Sequence, residues 1–151
     1  MIPMQPIGRV RSARTTLEDD HWGDVISTIE LDPAIPTESL DGIETFSHAE
    51  ILFALDQIPE SSIVTGARHP RYNREWPRIG IFAQRGAVRP NRIGATIVRV
   101  LAREGRAVRV QGLDAVEGTP VLDIKPVMDE FLPREEVRQP AWSHEVMRKY
   151  W

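Results

Sequence analysis

The chain has 151 residues, of which 41% are hydrophobic, and this is enough for one domain with a buried core. No apolar run approaches the roughly 18 residues of a membrane span, and the N-terminus lacks the features of a signal peptide, so we expect a cytoplasmic protein. The absence of cysteine excludes disulfides and thiolate metal sites. The four histidines are too far apart in sequence to pair at a metal-ligand spacing, so no metal site is predicted.

The net charge of −3 conceals a strong asymmetry along the chain. Residues 1–65 carry a balance of −9, whereas residues 66–111 carry +9, and all eleven bases of that central block are arginine. The planar guanidinium suits phosphate and carboxylate recognition. The block therefore predicts either a nucleic-acid-binding surface or internal pairing with the acidic first third, and composition leaves both open.

Short strands separated by turns dominate the pattern in chain order. A turn or single helical turn is expected at residues 37–42, and a helix over residues 142–151. Strands are predicted at residues 7–11, 25–31, 49–55, 79–83, 95–101, 107–113 and 121–125. This spacing of strands favours a mainly β domain, a small single-domain barrel with a short C-terminal helix.

Alternation assigns faces to two of these strands. Val25, Ser27, Ile29 and Leu31 share one face of their strand. In the last strand, Asp123 and Lys125 are expected on one face with Val121, opposite Leu122 and Ile124. Asp123 and Lys125 then form either a surface ion pair or the floor of a polar pocket.

An arginine-rich loop follows the strand predicted at 79–83. It carries Arg85, Arg89, Asn91 and Arg92 between two glycines, and it fits either a solvated turn or a binding site on a fixed scaffold. Trp22 and Trp76 also fall in irregular loops beside arginines, where an indole can stack on a base. No phosphate-binding glycine loop or nucleophile elbow is present, so spacing alone indicates a β-rich binding or catalytic domain.

Four segments in order resemble the TsaA-like family, also called TrmO. They are Ile-Gly-Arg-Val-Arg-Ser at 7–12, Phe-Ser-His at 46–48, the loop at 79–94 with its Arg-Pro-Asn, and Glu-Gly-Thr-Pro-Val-Leu-Asp-Ile-Lys-Pro at 117–126. The resemblance covers roughly residues 5–128, which implies one domain over 1–151 with a barrel core and a tail over 129–151.

The resemblance implies a barrel that binds S-adenosylmethionine, commonly as a homodimer with the cofactor near the interface. The implied activity is methyl transfer to N6 of threonylcarbamoyl-adenosine beside the tRNA anticodon. Two alternatives remain open: methyl transfer to an acceptor other than tRNA, and a non-catalytic barrel that binds RNA or a small ligand.

Family positions carry over to site residues as follows. The cofactor would contact Arg85, Ala95, Asp114, Glu117, Gly118, Thr119, Pro120, Leu55, Asp56, His21 and Trp22. Independently of the family positions, we expect the substrate to contact Arg89, His69, Arg71 and Trp76. Asn91, Asp123 and Lys125 would shape the catalytic pocket, with Asp123 as the one candidate general base.

The chain departs from the family pattern at two of these places. His21-Trp22-Gly23 stands where family members have Pro-Arg-Gln, and Leu55-Asp56 stands where they have Phe-His. The bacterial tRNA enzymes of the family continue into a further C-terminal domain, which bears on the tRNA substrate more than on the cofactor.

Overall fold

Six antiparallel strands close into a barrel in the computed structural model, which describes residues 1–151. The strands in chain order are β1 (Gly8–Arg11), β2 (Ile26–Leu31), β3 (His48–Ala54), β4 (Ala67–Arg68), β5 (Ile79–Gly80), β6 (Ile93–Glu104), β7 (Ala107–Gln111) and β8 (Pro120–Pro126), of which β4 and β5 form a separate two-stranded ribbon. The order of the other six around the barrel is β1-β2-β7-β6-β3-β8, and pairing of β1 with β8 completes the circle. The predicted mainly β barrel is confirmed.

The core is built from the inward faces that alternation predicted. Ser27, Ile29 and Leu31 of β2 are buried, and so are Val108 and Val110 of β7. These residues alternate with exposed or half-buried neighbours, as expected for strands with one face against a core. Thirteen buried hydrophobic residues form one continuous cluster inside the barrel.

A close approach between β3 and β6 requires a glycine. Phe53 lies opposite Gly94 in the register of these strands, and a Cβ added at Gly94 would lie 2.4 Å from two atoms of the Phe53 ring. Phe53 is 1% exposed, so its ring cannot move aside into solvent. The aromatic ring therefore fills the space that the glycine leaves.

The predicted strand at 79–83 is wrong beyond its first two residues. Only Ile79–Gly80 pairs, with Ala67–Arg68, outside the barrel, and a 3₁₀ turn follows at Ile81–Ala83. The chain bends because the buried Gln84 side chain donates to the carbonyls of Arg68 and Ile79. An apolar run of strand length therefore became a short ribbon and a turn.

The predicted faces of β8 are also wrong at one end. Between Leu52 and Phe53 the register shifts, so that Leu52 lies opposite Asp123 but Phe53 lies opposite Val121. This bulge places Val121 in the core and lets Ile124 pack against the same core cluster. Strict alternation had placed these two residues on opposite faces.

The tail returns to the barrel after a stretch without strands. Its helix, α1 (Ala141–Val146), is shorter than the predicted 142–151, and turns follow it. The last residues bond to an early loop, because the amides of His21 and Trp22 donate to the carbonyls of Lys149 and Tyr150 at 2.9 and 2.7 Å. No helix in the structure has the length and apolar character needed to cross a membrane.

Candidate functional site

A polar corner forms around Asp114, just beyond the end of β7. Strand β6 runs antiparallel to β7, so residues near the start of β6 lie at the same end of the barrel. There the Thr96 hydroxyl donates to one oxygen of Asp114 at 2.5 Å, and the Tyr150 hydroxyl donates to the other. One carboxylate thus joins β6, the loop after β7 and the tail.

Arg85 brings the arginine-rich loop to this corner. Its guanidinium donates to the carbonyl of Ala95, the residue before Thr96, at 2.6 Å. The Arg85 side chain is otherwise exposed and has donors left for a ligand. Burial, followed by the charge of Asp114, raises the pKa of the Tyr150 hydroxyl well above its usual value. The positive charges of Arg85 and Arg71 oppose that rise, and so both guanidinium groups act on the corner.

The loop over residues 18–23 forms one side of the corner. Arg14 organises this loop by donating to the carbonyls of Asp20 and His21, while its guanidinium lies 3.8 Å from the centroid of the Trp22 ring. Trp22 is 3% exposed, so its indole packs inside the loop and offers no free face for stacking on a base. His21 is exposed and adopts a positive φ of 66°.

The basic loop, which we define as residues 66–78, packs against both this loop and the tail. Arg71 makes two hydrogen bonds to the Asp20 carboxylate, at 2.9 and 3.2 Å. The His69 ring bonds the carbonyl of Trp76 at 2.7 Å, and the Trp76 indole donates to Glu145 of α1 at 3.0 Å. The side chains of these predicted substrate-contact residues are therefore engaged within the protein.

The arginines of residues 66–111 agree in part with both hypotheses for the basic block, internal pairing with the acidic first third and a surface that binds nucleic acid. Arg71 and Arg103 pair with Asp20 and Asp41 of the acidic first third. Several others bond backbone carbonyls, as Arg89 does with Gln84 and Gly86, and so they keep a positive charge without an acidic partner. The internal pairs use only a small part of the excess charge.

The segment over residues 117–120 is held against β1. The Glu117 carboxylate accepts the amide of Ser12 at 2.8 Å and the Arg11 guanidinium at 3.1 Å, and the Ser12 bond is the main cause that holds the pKa of Glu117 below its usual range. Gly118, at φ +82°, donates its amide to the carbonyl of Val10 at 2.8 Å. Thr119 and Pro120 are buried. This segment is a fixed wall near the corner.

The remaining predicted residues lie around the start of β6 and on the outer barrel surface. The Leu55 amide donates to the carbonyl of Arg92, so Leu55 and Asp56 follow β3 at the end where β6 begins. Asn91 is exposed in the arginine-rich loop that leads into β6. Asp123 lies two strands from Ala95, about 10 Å away at the usual strand spacing. It forms a 3.1 Å ion pair with Lys125, with both side chains about half exposed.

Comparison with known proteins decides the family. The family described as "tRNA-methyltransferase O N-terminal domain" matches residues 14–131. The chain belongs to this family. It is 34% identical to a probable S-adenosyl-L-methionine-binding protein of Pyrococcus abyssi over 143 residues, which cover 91% of this chain and 74% of that protein.

Longer family members match over part of their length. The human tRNA (adenine(37)-N6)-methyltransferase is 39% identical over 105 residues, 70% of this chain and 23% of the human protein. A crystal structure of TrmO from Pseudomonas aeruginosa superposes with a TM-score of 0.72 at 30% identity, covering 91% of this chain and 61% of that one. The chain thus spans about three fifths of that TrmO structure and a quarter of the human enzyme.

The polar groups of the corner suit the cofactor that the family name implies. S-adenosylmethionine carries a carboxylate, an ammonium group and a ribose diol. Arg85 offers free N–H donors to a carboxylate, and each oxygen of Asp114 keeps one acceptor position after the two hydroxyl bonds. A donor for the carboxylate and an acceptor for the ammonium or ribose hydroxyl groups are therefore present at one corner.

Other parts of the surface offer less. Two clefts of about 290 and 220 Å³ lie between the 3₁₀ turns at 37–45 and β8, and Asp123 is the one predicted site residue that lines either of them. No three histidine, aspartate or glutamate side chains gather as a cation site.

Sequence reasoning missed two residues of this corner. Arg14 holds the loop over residues 18–23, and Tyr150 caps the Asp114 carboxylate. Tyr150 falls within the helix predicted over residues 142–151, and nothing in the sequence links position 150 to position 114. The hint for Arg14 was its place just before the acidic Glu18 and Asp20, which it does contact.

Proposed function

We propose that this chain is an S-adenosylmethionine-dependent methyltransferase that acts on tRNA, at N6 of threonylcarbamoyl-adenosine beside the anticodon. The observation that carries this proposal is the corner in which Arg85 bonds Ala95 beside the Asp114 carboxylate. Similar proteins named as an S-adenosyl-L-methionine-binding protein and as tRNA (adenine(37)-N6)-methyltransferases support the cofactor and the acceptor.

The residues of the corner act by binding and alignment. When bound, the cofactor would supply a methyl group on a sulfonium for transfer to a nitrogen, with the sulfur as the leaving group. Arg85 would hold the carboxylate of the methionine part, and Asp114 would accept hydrogen bonds from donors of the ligand. Such fixed positioning can supply much of the acceleration of a displacement reaction.

Proton removal from the attacking nitrogen has no strong base in this arrangement. Asp123 remains the candidate, together with Lys125 and Asn91 as residues that shape the pocket. Its ion pair with Lys125 and its distance of about two strands from Ala95 make it a binding group for the acceptor more than a base at the methyl group.

The basic loop and a second copy of the chain complete the proposal. Arg89, His69, Arg71 and Trp76 are the candidate RNA contacts, and the last three would have to exchange their present bonds within the protein for bonds to RNA. The arginines without an acidic partner would supply attraction to phosphate. We infer one domain over 1–151 that works as a homodimer in the cytoplasm, where tRNA is modified.

A second candidate is methyl transfer to an acceptor other than tRNA. It is favoured by the hydrogen bonds that already occupy several arginines, because these leave fewer guanidinium groups for phosphates. A non-catalytic RNA-binding barrel is the third possibility, and it predicts salt-dependent RNA binding without a cofactor.

Calorimetry and nucleoside analysis separate these functions. Heat of binding with S-adenosylmethionine or S-adenosylhomocysteine is expected, and its absence at concentrations well above micromolar would reject the methyltransferase. Mass spectrometry of tRNA nucleosides from cells with and without the gene should show loss of the N6-methylated species. Unchanged tRNA nucleosides with retained cofactor binding would select the second candidate.

The Arg85→Ala substitution tests the cofactor corner directly. Loss of a charge-assisted hydrogen bond to the cofactor carboxylate should weaken binding by about 1.5–3 kcal/mol. Arg134→Ala is the matched control, since Arg134 is exposed in the tail and makes no ion pair or side-chain hydrogen bond. Equal binding by the two variants would remove Arg85 from the site.

A further inference from the structure

A residue outside the segment that defines the family reaches the centre of the candidate site. The family match ends at residue 131, whereas Tyr150 donates its hydroxyl to Asp114. Asp114 is held from the other side by Thr96 of β6. The tail thus contributes a side chain to a carboxylate that the barrel alone would hold by a single hydroxyl.

The tail is seated by contacts that the loop over residues 18–23 is shaped to make. Amides of His21 and Trp22 donate to tail carbonyls, and a Cβ added at Gly23 would lie 2.8 Å from the carbonyl carbon of Trp151. The Trp76 indole fixes the preceding helix through Glu145. Two segments with predicted site residues therefore bind the tail, and they place the phenol at Asp114.

The two hydroxyls determine how the carboxylate is turned. An ionised carboxylate has about four lone-pair positions, and Thr96 and Tyr150 each take one on a different oxygen. Without the phenol, rotation about the Cβ–Cγ bond of Asp114 would be restrained on one oxygen only. With it, one acceptor position on each oxygen has a fixed direction, which suits a ligand with two neighbouring donors such as a ribose diol.

We propose that Tyr150 is a positioning residue of the cofactor site, which acts by orienting the Asp114 carboxylate toward the ribose hydroxyls of the bound cofactor. This inference rests on the proposed function, because the ligand is the cofactor named there. The backbone bonds from His21 and Trp22 to Lys149 and Tyr150, together with the hydroxyl bond to Asp114, keep the phenol in a defined place. The hydroxyl, and not the packing of the ring, is the part that matters.

Tyr150→Phe isolates the hydroxyl because it keeps the ring. Calorimetry with S-adenosylhomocysteine should show binding weakened by about tenfold, because the Asp114 carboxylate would no longer be pre-oriented toward the donors of the ligand. Tyr72→Phe is the matched control, since Tyr72 is the other of two tyrosines, is 64% exposed, and makes no hydrogen bond through its hydroxyl. It should bind like the wild type.

A spectroscopic titration tests the contact in the free protein. Tyrosinate absorbance of the wild type should include a tyrosine that ionises only at high pH, because burial and the charge of Asp114 raise the pKa of Tyr150. Asp114→Asn removes the negative charge, so Tyr150 should ionise at lower pH than in the wild type. An unchanged titration in this variant would overturn the Tyr150–Asp114 contact and the inference with it.

The binding outcomes separate this inference from the proposed function. If the wild type binds neither S-adenosylmethionine nor its demethylated product, both fail. If the wild type binds and Tyr150→Phe binds within twofold of it, only the positioning role is overturned. Weakened binding by both Tyr150→Phe and Asp114→Asn, with Tyr72→Phe unaffected, supports it.

Discussion

The barrel wall and the corner around Asp114 are held together by different physical means. The wall has a continuous cluster of buried hydrophobic side chains and ladders of backbone hydrogen bonds. The corner is held mainly by side chains that bond distant backbone, as Arg14 does with His21, Arg85 with Ala95 and Arg92 with Ile58. Its contacts are polar, and several are exposed.

The difference predicts how each region responds to change. Burial of apolar surface is large and shared among many residues, so a defect in the wall should lower the stability of the whole fold. A polar contact contributes only about 0.5–1.5 kcal/mol net, so a defect in the corner should alter the site while the barrel stays folded. Regions of this second kind are those that open locally and carry function.

Phe53→Ala should have the largest effect on stability. Phe53 is 1% exposed against Gly94, and truncation of a buried phenylalanine typically costs about 3–5 kcal/mol of unfolding free energy. Phe82→Ala makes the same chemical change at a ring that is 76% exposed, and it should change stability by less than about 0.5 kcal/mol. Urea denaturation measures both unfolding free energies. Similar losses of stability in the two variants would contradict the prediction that burial in the barrel wall sets the cost.

The wall could be predicted from the sequence because its signal is local. Alternation at Ser27, Ile29 and Leu31 reports which side of β2 faces the core, and neighbours two positions apart suffice to see it. Alternation does not predict the buried face of a strand where the pairing with a neighbouring strand shifts its register. The bulge that turns Val121 and Ile124 the same way is set by the register with β3, which no pattern within β8 reveals.

The corner could be predicted only in part, and only through the resemblance. Family motifs pointed to Arg85, Ala95 and Asp114. In the structure Arg85 donates to the carbonyl of Ala95, and the next residue, Thr96, donates its hydroxyl to Asp114. Tyr150 and Arg14 belong to no motif, since their contacts depend on how the tail and the first loop pack. Trp22 was expected to be available for stacking, but packing against Arg14 buries its ring.

The Arg71–Asp20 pair should show a moderate and local effect. Its two hydrogen bonds join the basic loop to the loop over residues 18–23, and its side chains are only 24% and 26% exposed. A double-mutant cycle with alanine at each position should give a coupling free energy of about 1 kcal/mol in urea denaturation. The pair of Arg11 and Glu30, at 3.4 Å with both side chains about half exposed, is the control and should couple more weakly.

Equal coupling in the two pairs would mean that partial burial and the second hydrogen bond of Arg71 add nothing. The corner would then depend on its contacts to backbone carbonyls alone. A larger value for Arg71 and Asp20 would show that this pair helps to fix the two loops that flank the candidate site.

Glu117→Gln should have the smallest effect, and it should depend on pH. The bond from the Ser12 amide, followed by the Arg11 guanidinium, holds the pKa of Glu117 below the ordinary value of about 4.3, so folding favours the ionised carboxylate. Its contribution is therefore complete above that ordinary value and is lost as the pH falls through it toward the folded pKa. The side chain is 36% exposed, so screening keeps the contribution below about 1 kcal/mol.

Unfolding free energies of the wild type and Glu117→Gln should differ most at neutral pH and converge in acid. Glu135→Gln, which alters an exposed tail glutamate without a bonded partner, controls for the loss of one negative charge. A difference that widens as the pH falls from 5 to about 3 would contradict the direction of the pKa shift. Convergence would show that the ionised Glu117 carboxylate stabilises the attachment of the segment over residues 117–120 to β1 and Ser12.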